Sequence, residues 1–173
     1  MSAESWSRVV LAACVASGAV LVADQRPADV RFSVKMIDPG YSETAAVADL
    51  NRDGRLDIIS GESWYAAPGW TRQTLRPINY QSGYIDNFSD LAMDVDADGW
   101  TDVVQFSYFA GNIVWLKNPG RSAGPWAVNE IAKDGPTEFG FAVDLANDGS
   151  PDDLLPEYDR ATVPLAWFEH TGR

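Results

Sequence analysis

Short apolar runs alternate with turn-forming residues along most of this chain. "TAAVADL" (44–50), "DIISGESWY" (57–65), "SDLAMDV" (89–95), "DVVQFSYF" (102–109), "GFAVDL" (140–145) and "DDLLPEY" (152–158) are such runs, and Gly, Pro, Asp and Asn separate them. Runs this short, bounded this way, predict β-strands. "WTRQTLR" (70–76) and "WAVNEIA" (126–132) read as further strands, and "FSVKMID" (32–38) looks like the same element of a preceding unit. No stretch carries a helical period, so the expected class is all-β.

One polar frame recurs between these runs. It is "DLNRDGRLDII" from Asp49, "DVDADGWTDVV" from Asp94 and "DLANDGSPDDL" from Asp144, spaced 45 and 50 residues apart. Asp stands first, an apolar residue second, Asp-Gly fifth and sixth, and Asp ninth; an extra acid, Asp153, follows in the third copy. A second landmark keeps a fixed offset of five: Trp64 with Gly69, Trp115 with Gly120, Trp167 with Gly172. A period of 45–50 residues holding about four strands points to β-propeller blades. The units run near 32–70, 71–125 and 126–173. A sandwich with chance similarity is the rival, and the shared frame argues against it.

These frames, with "EFGFAVDL" (138–145) and its Phe-Gly before the strand, resemble FG-GAP repeats, the VCBS-type repeats also found in integrin α-subunit propellers. The resemblance covers Phe32 to the C-terminus. It implies about three four-stranded antiparallel blades of a ring that typically has seven, with calcium held between the first two strands of some blades. Three frames do not close a ring, and the third unit stops after "AWFEHTGR". The expectation is therefore a fragment whose remaining propeller is missing, or a chain that assembles with other copies.

Acids this close repel one another, and a divalent cation relieves the repulsion. Calcium takes six to eight oxygens in flexible geometry. Oxygens at frame positions 1, 3, 5 and 9, plus a carbonyl at 7, can wrap it, and glycine at 6 permits the turn. The second frame offers Asp94, Asp96, Asp98 and Asp102 with the carbonyl of Trp100. The first offers Asp49, Asn51, Asp53 and Asp57 with the carbonyl of Arg55, one negative charge fewer. The third keeps Asp144, Asp148 and Asp152 but has Ala146 at position 3 and Pro151 at position 8, so its binding stays open. An EF-hand would need an acid at position 12, where Ser60, Gln105 and Leu155 stand. A plain Asp-Gly turn is the simpler alternative for any one frame.

The first residues differ from the rest. Val9 to Ala23 carry no charge, after Arg8. The run is short for a membrane span and reads as a signal peptide, residues 1–23, cut after Ala19 or Ala23. A buried N-terminal helix is the other reading. "LAAC" (11–14) resembles a lipoprotein box that would acylate Cys14. The expected location is secreted, cell-surface or periplasmic, with no membrane span in the mature chain.

Charge narrows the partners. The net charge is -12, which disfavours nucleic acid. One Cys and one His exclude an internal disulfide and a multi-His or multi-Cys metal site. His170, near the end, reads as a solvated histidine. Trp64, Trp115 and Trp167 read as core, while Trp70, Trp100 and Trp126 lie near turns and are freer to face solvent. The resulting reading is a non-catalytic calcium-binding module for an extracellular protein or carbohydrate ligand. The alternative is the propeller portion of a secreted polysaccharide lyase or sugar dehydratase.

Overall fold

The computed structural model describes residues 29–122 and 124–171. The expected leader, residues 1–23 with Cys14, lies outside them. The chain divides into two units, Met1–Lys35 and Met36–Arg173. In the described part of the first unit, residues 29–35 form no strand, and Phe32 and Val34 are exposed. The strand expected over 32–38 is thus not formed: no other strand pairs with it among the described residues.

The second unit is all-β. Strands β1 (Ala46–Ala48), β2 (Asp57–Ser60), β3 (Ser63–Ala66) and β4 (Thr71–Thr74) make an antiparallel meander in that order. The small hairpin β5 (Tyr80–Gln81) and β6 (Tyr84–Ile85) follows. Strands β7 (Ser89–Met93), β8 (Asp102–Phe106), β9 (Ile113–Lys117) and β10 (Ala127–Ala132) repeat the meander. Strands β11 (Thr137–Val143) and β12 (Asp153–Tyr158) pair antiparallel. In this last unit a single bridge, Leu154 to Phe168, stands where the other sheets have a third strand. Among the described residues this unit thus holds two strands and a bridge.

Alternation within β8 shows how the sheets meet. Val103 joins Leu50, Ile59, Leu75, Val114, Leu116 and Trp126 in one core, with Ala46, Ala48 and Trp64 packed against it. Its neighbour Val104 joins Phe106, Ile113 and Leu154 in a second core, with Leu91, Met93 and Phe168 beside it. Successive strand residues point to opposite faces. The middle meander is therefore covered on both faces, and all five residues of β8 are buried. All four residues of β4 are exposed. Each fully buried Val, Leu or Ile contributes about 1.5–3 kcal/mol. The first strands lie together, with β7 against both β1 and β11. Gly140 of β11 sits on the Phe106 ring so closely that a Cβ there would fall 2.2–2.5 Å from ring carbons.

Two tryptophan expectations change. Trp126 is 8% exposed and belongs to the first core, because it enters β10 against the Leu116 face. Trp167 is 40% exposed, because among the described residues its segment forms a single bridge rather than a strand.

Candidate metal centre

All three frames lie at one kind of junction, between the first and second strands of each unit. They also fold alike. Asp49 accepts hydrogen bonds from the N–H groups of Asp53 (3.0 Å) and Gly54 (2.8 Å). Asp94 does the same for Asp98 and Gly99, and Asp144 for Asp148 and Gly149. The fifth residue then accepts from the seventh: Asp53 from Arg55, Asp98 from Trp100, Asp148 from Ser150, each at 2.9 Å. The fourth residue has positive φ each time, in Arg52 (59°), Ala97 (56°) and Asn147 (58°). The glycines at position 6 have φ of 83°, 85° and 94°, a region where a Cβ is strained.

The aspartate that opens the second strand clips the junction shut. Asp57 accepts from Leu50 N–H at 3.0 Å and Ala67 N–H at 2.9 Å, one on each carboxylate oxygen. Asp102 accepts from Val95 at 3.2 Å and Asn118 at 2.7 Å. In the third unit Asp153 takes this part, accepting from Leu145, Ala146 and His170. Ala67, Asn118 and His170 each stand three residues after the repeated Trp. The structural equivalent of Asp57 and Asp102 is thus Asp153, one residue beyond Asp152, because the Pro151 segment holds an extra residue. Asp152 instead lies 3.1 Å from His170 Nδ1, and this histidine is largely buried rather than solvated.

Environments tune these acids differently. Burial pushes the Asp102 carboxyl up, against the pull of the Asn118 and Val95 N–H groups. Burial also raises Asp153, but the N–H groups of Ala146, His170 and Leu145 outweigh it and the net direction is down. The Trp100 N–H, followed by the Lys117 ammonium, lowers Asp98.

Carboxylates converge most in the second loop. One oxygen from each of Asp94, Asp96 and Asp102 lies within 4.8 Å of the others. Among the described residues no other three Asp, Glu, His or Cys side chains meet this closely. Asp96 Oδ1 is buried without a hydrogen-bond partner there. A cation already touches this set: Lys117 Nζ contacts Asp96 Oδ2, and Asp98 Oδ2 at 3.1 Å. Hydrogen bonds to these two carboxylates hold the ammonium well above its usual pKa. The orphaned oxygen and the Lys117 ammonium contact both fit a position that could hold a cation. The first loop gathers less charge. Asp53 lies 3.5 Å from Arg55, and Asn51 Oδ1 accepts from the Asp53 N–H. In the third loop Asp144 and Asp148 keep the turn while Asp152 faces His170.

The first two loops are tied together. Asn118 Nδ2 donates to the carbonyls of Leu50 and Thr101, at 2.9 Å each. The Arg52 guanidinium donates to the Gly99 carbonyl and lies 4.7 Å from the Trp100 ring centre. A cavity of about 440 Å³ opens beside them, lined by Asn51, Trp64, Trp100, Asn118 and Arg121 among others.

The opposite end of β7 and β8 carries a polar cluster that the sequence reading missed. Asp90 accepts from Asn87 and Gln105, and Arg76 donates to Gln105. Asp86 clamps the N–H groups of Phe109 and Ala110, which sets Phe109 and Tyr108 against Phe88. No frame marks these residues, because their partners come from β2–β3, β8 and loops far apart in sequence.

Compared with family models, curated proteins and solved structures, this chain matches none.

Proposed function

We propose that this chain is an exported, calcium-stabilised module of the propeller type that serves binding rather than catalysis. One observation carries the proposal: three loops of the same backbone form stand at the same strand junction, and in one of them three carboxylate oxygens converge. Two meanders of identical strand order, with their first strands side by side, support the blade reading. The FG-GAP resemblance points the same way. Calcium in the second loop would be held by Asp94, Asp96, Asp98 and Asp102 with the Trp100 carbonyl, and in the first by Asp49, Asn51, Asp53 and Asp57 with the Arg55 carbonyl. The ion's charge would offset the crowded carboxylates. The half-exposed rings of Tyr84, Phe88, Tyr108 and Phe109, at the end away from the loops, offer faces on which a sugar or an apolar side chain can stack.

The test is thermal melting in chelator, in calcium and in magnesium. Calcium raises Tm by mass action, contributing about 1.4 kcal/mol at tenfold excess over Kd. Magnesium acts weakly, since it demands a tighter octahedral shell. Asp96→Ala is the discriminating variant: Asp94 and Asp98 carry the loop's backbone bonds, whereas among the described residues the Asp96 carboxylate bonds to Lys117 and to no backbone N–H. It removes the second loop's share of the gain without undoing the turn. Identical melting curves in chelator and in millimolar calcium would overturn the proposal.

A further inference from the structure

We infer that Lys117 is the built-in counter-ion of the second aspartate loop, and that it competes with the divalent cation for that loop. The inference rests on the calcium reading above and assigns its regulation to one side chain. Lys117 is the last residue of β9, two residues after Trp115. From there its Nζ reaches Asp96 and Asp98, both in the loop between β7 and β8. Its ammonium also lies 6.0 Å from the Trp115 ring centre. The side chain is 38% exposed, so it can leave into solvent without opening the core.

The equivalent positions in the other units explain why this is a property of one loop. Two residues after Trp64 stands Ala66, and two after Trp167 stands Glu169. The first loop therefore has no side chain able to fill its cation position from that strand. The third has an added acid there. Among the described residues only the second, which carries aspartate at all four of frame positions 1, 3, 5 and 9, receives an ammonium. Four carboxylates in one loop repel strongly without a cation. A lysine on a flexible stem supplies one positive charge in the metal's absence and can be displaced when a doubly charged ion arrives. The exchange swaps one cation for another and breaks two ammonium–carboxylate contacts. This loop then keeps its shape at low calcium, at the expense of affinity.

The experiment compares the full chain with Lys117→Met, which keeps the stem and loses the charge. Calcium binding is followed by calorimetry, and terbium is used as a second probe, sensitised by Trp100 and Trp115. Lys117→Met is expected to bind calcium about tenfold more tightly at one site, as removal of a competing unit charge at contact distance implies. It should also melt at lower temperature than the parent in chelator. Adding Asp96→Ala to Lys117→Met should abolish the tightened site and leave the first loop's site unchanged. Equal calcium affinity in parent and Lys117→Met, with binding present in both, overturns the counter-ion role and leaves the calcium reading standing. No calcium or terbium binding in either overturns both. A second measurement needs no variant: acetylation of Lys117 in the parent protein, read by mass spectrometry against Lys35 and Lys133, should speed up several-fold when calcium replaces chelator. An unchanged rate counts against displacement.

Discussion

Asp57 shows what a single residue holds in place. It is fully buried, and its two oxygens accept N–H groups from Leu50 and Ala67, which belong to chain segments on either side of β2. Asp57→Ala leaves two donors without partners, at a cost of about 1–3 kcal/mol for each buried group. The expected loss is about 2–4 kcal/mol in urea unfolding, with Asp57→Asn intermediate because it keeps one acceptor. A loss below half a kcal/mol would mean that water reaches the junction. Asp90 makes a prediction about pH. Burial raises its pKa, against the bonds from Asn87 and Gln105. In the unfolded chain the group ionises near pH 4. The folded state therefore keeps the proton over a window in which the unfolded state has lost it. The stabilisation from Asp90 is complete below the unfolded pKa and is lost as pH rises through the folded one. Asp90→Asn has no such titration, so its stability relative to the parent should improve from pH 4 upward until Asp90 is ionised. Urea midpoints of both proteins from pH 4 to 8 decide this, and a constant difference across the range refutes it.

At the scale of elements, the described glycine with the least room for a side chain is Gly140, which faces Phe106. A β-carbon at 140 would fall well inside contact distance of a ring that is itself fully buried in the second core. Gly140→Ala should therefore cost about 1–3 kcal/mol, the range for overpacking a filled core. Gly140→Ala combined with Phe106→Leu should recover part of that loss, and non-additive unfolding energies in this double-mutant cycle are the readout. The "EFGF" stretch displayed this glycine in the sequence, but its partner sits in β8 and could not be read there. The same division holds elsewhere. Strands around each frame were legible because alternation and Asp-Gly turns are local signals. The turn bonds of Asp49, Asp94 and Asp144 were legible for the same reason. Asp153 replaced Asp152 as the junction clip because one inserted residue shifts a count without changing composition. Trp126 and Trp167 exchanged their expected exposures because burial depends on which sheet lies opposite. The β5–β6 hairpin turns at Ser82 and Gly83, both at positive φ, which is a signal that "YQSGY" carried and that went unread.

For the molecule as a whole, the order of the sheets predicts where stability is concentrated. The middle meander contributes to both cores: Val103 and Leu116 face the first sheet, while Val104, Phe106 and Ile113 face the third unit. Opening β8 or β9 therefore exposes two cores at once, whereas β4 can leave with all of its residues already in solvent. Amide exchange reports such differences directly, because local openings cost less than global ones. The amides of Val103, Val104, Phe106 and Leu116 that are bonded within the sheet should exchange slowest, near the global unfolding free energy. Those of β4 should exchange fastest among the paired strands, and β11–β12, with one covered face, should fall between. Calcium sharpens the test. If the second loop binds an ion, protection should rise first in β7 and β8, which that loop joins, and reach the first sheet through Asn118, which donates to both the Leu50 and Thr101 carbonyls. Asn118→Ala should then uncouple the two, leaving the calcium effect in β7–β8 and removing it from β1–β2. Uniform protection across all three sheets, with or without calcium, would instead mean that the sheets open as one unit and that the loops add nothing of their own to the order of unfolding.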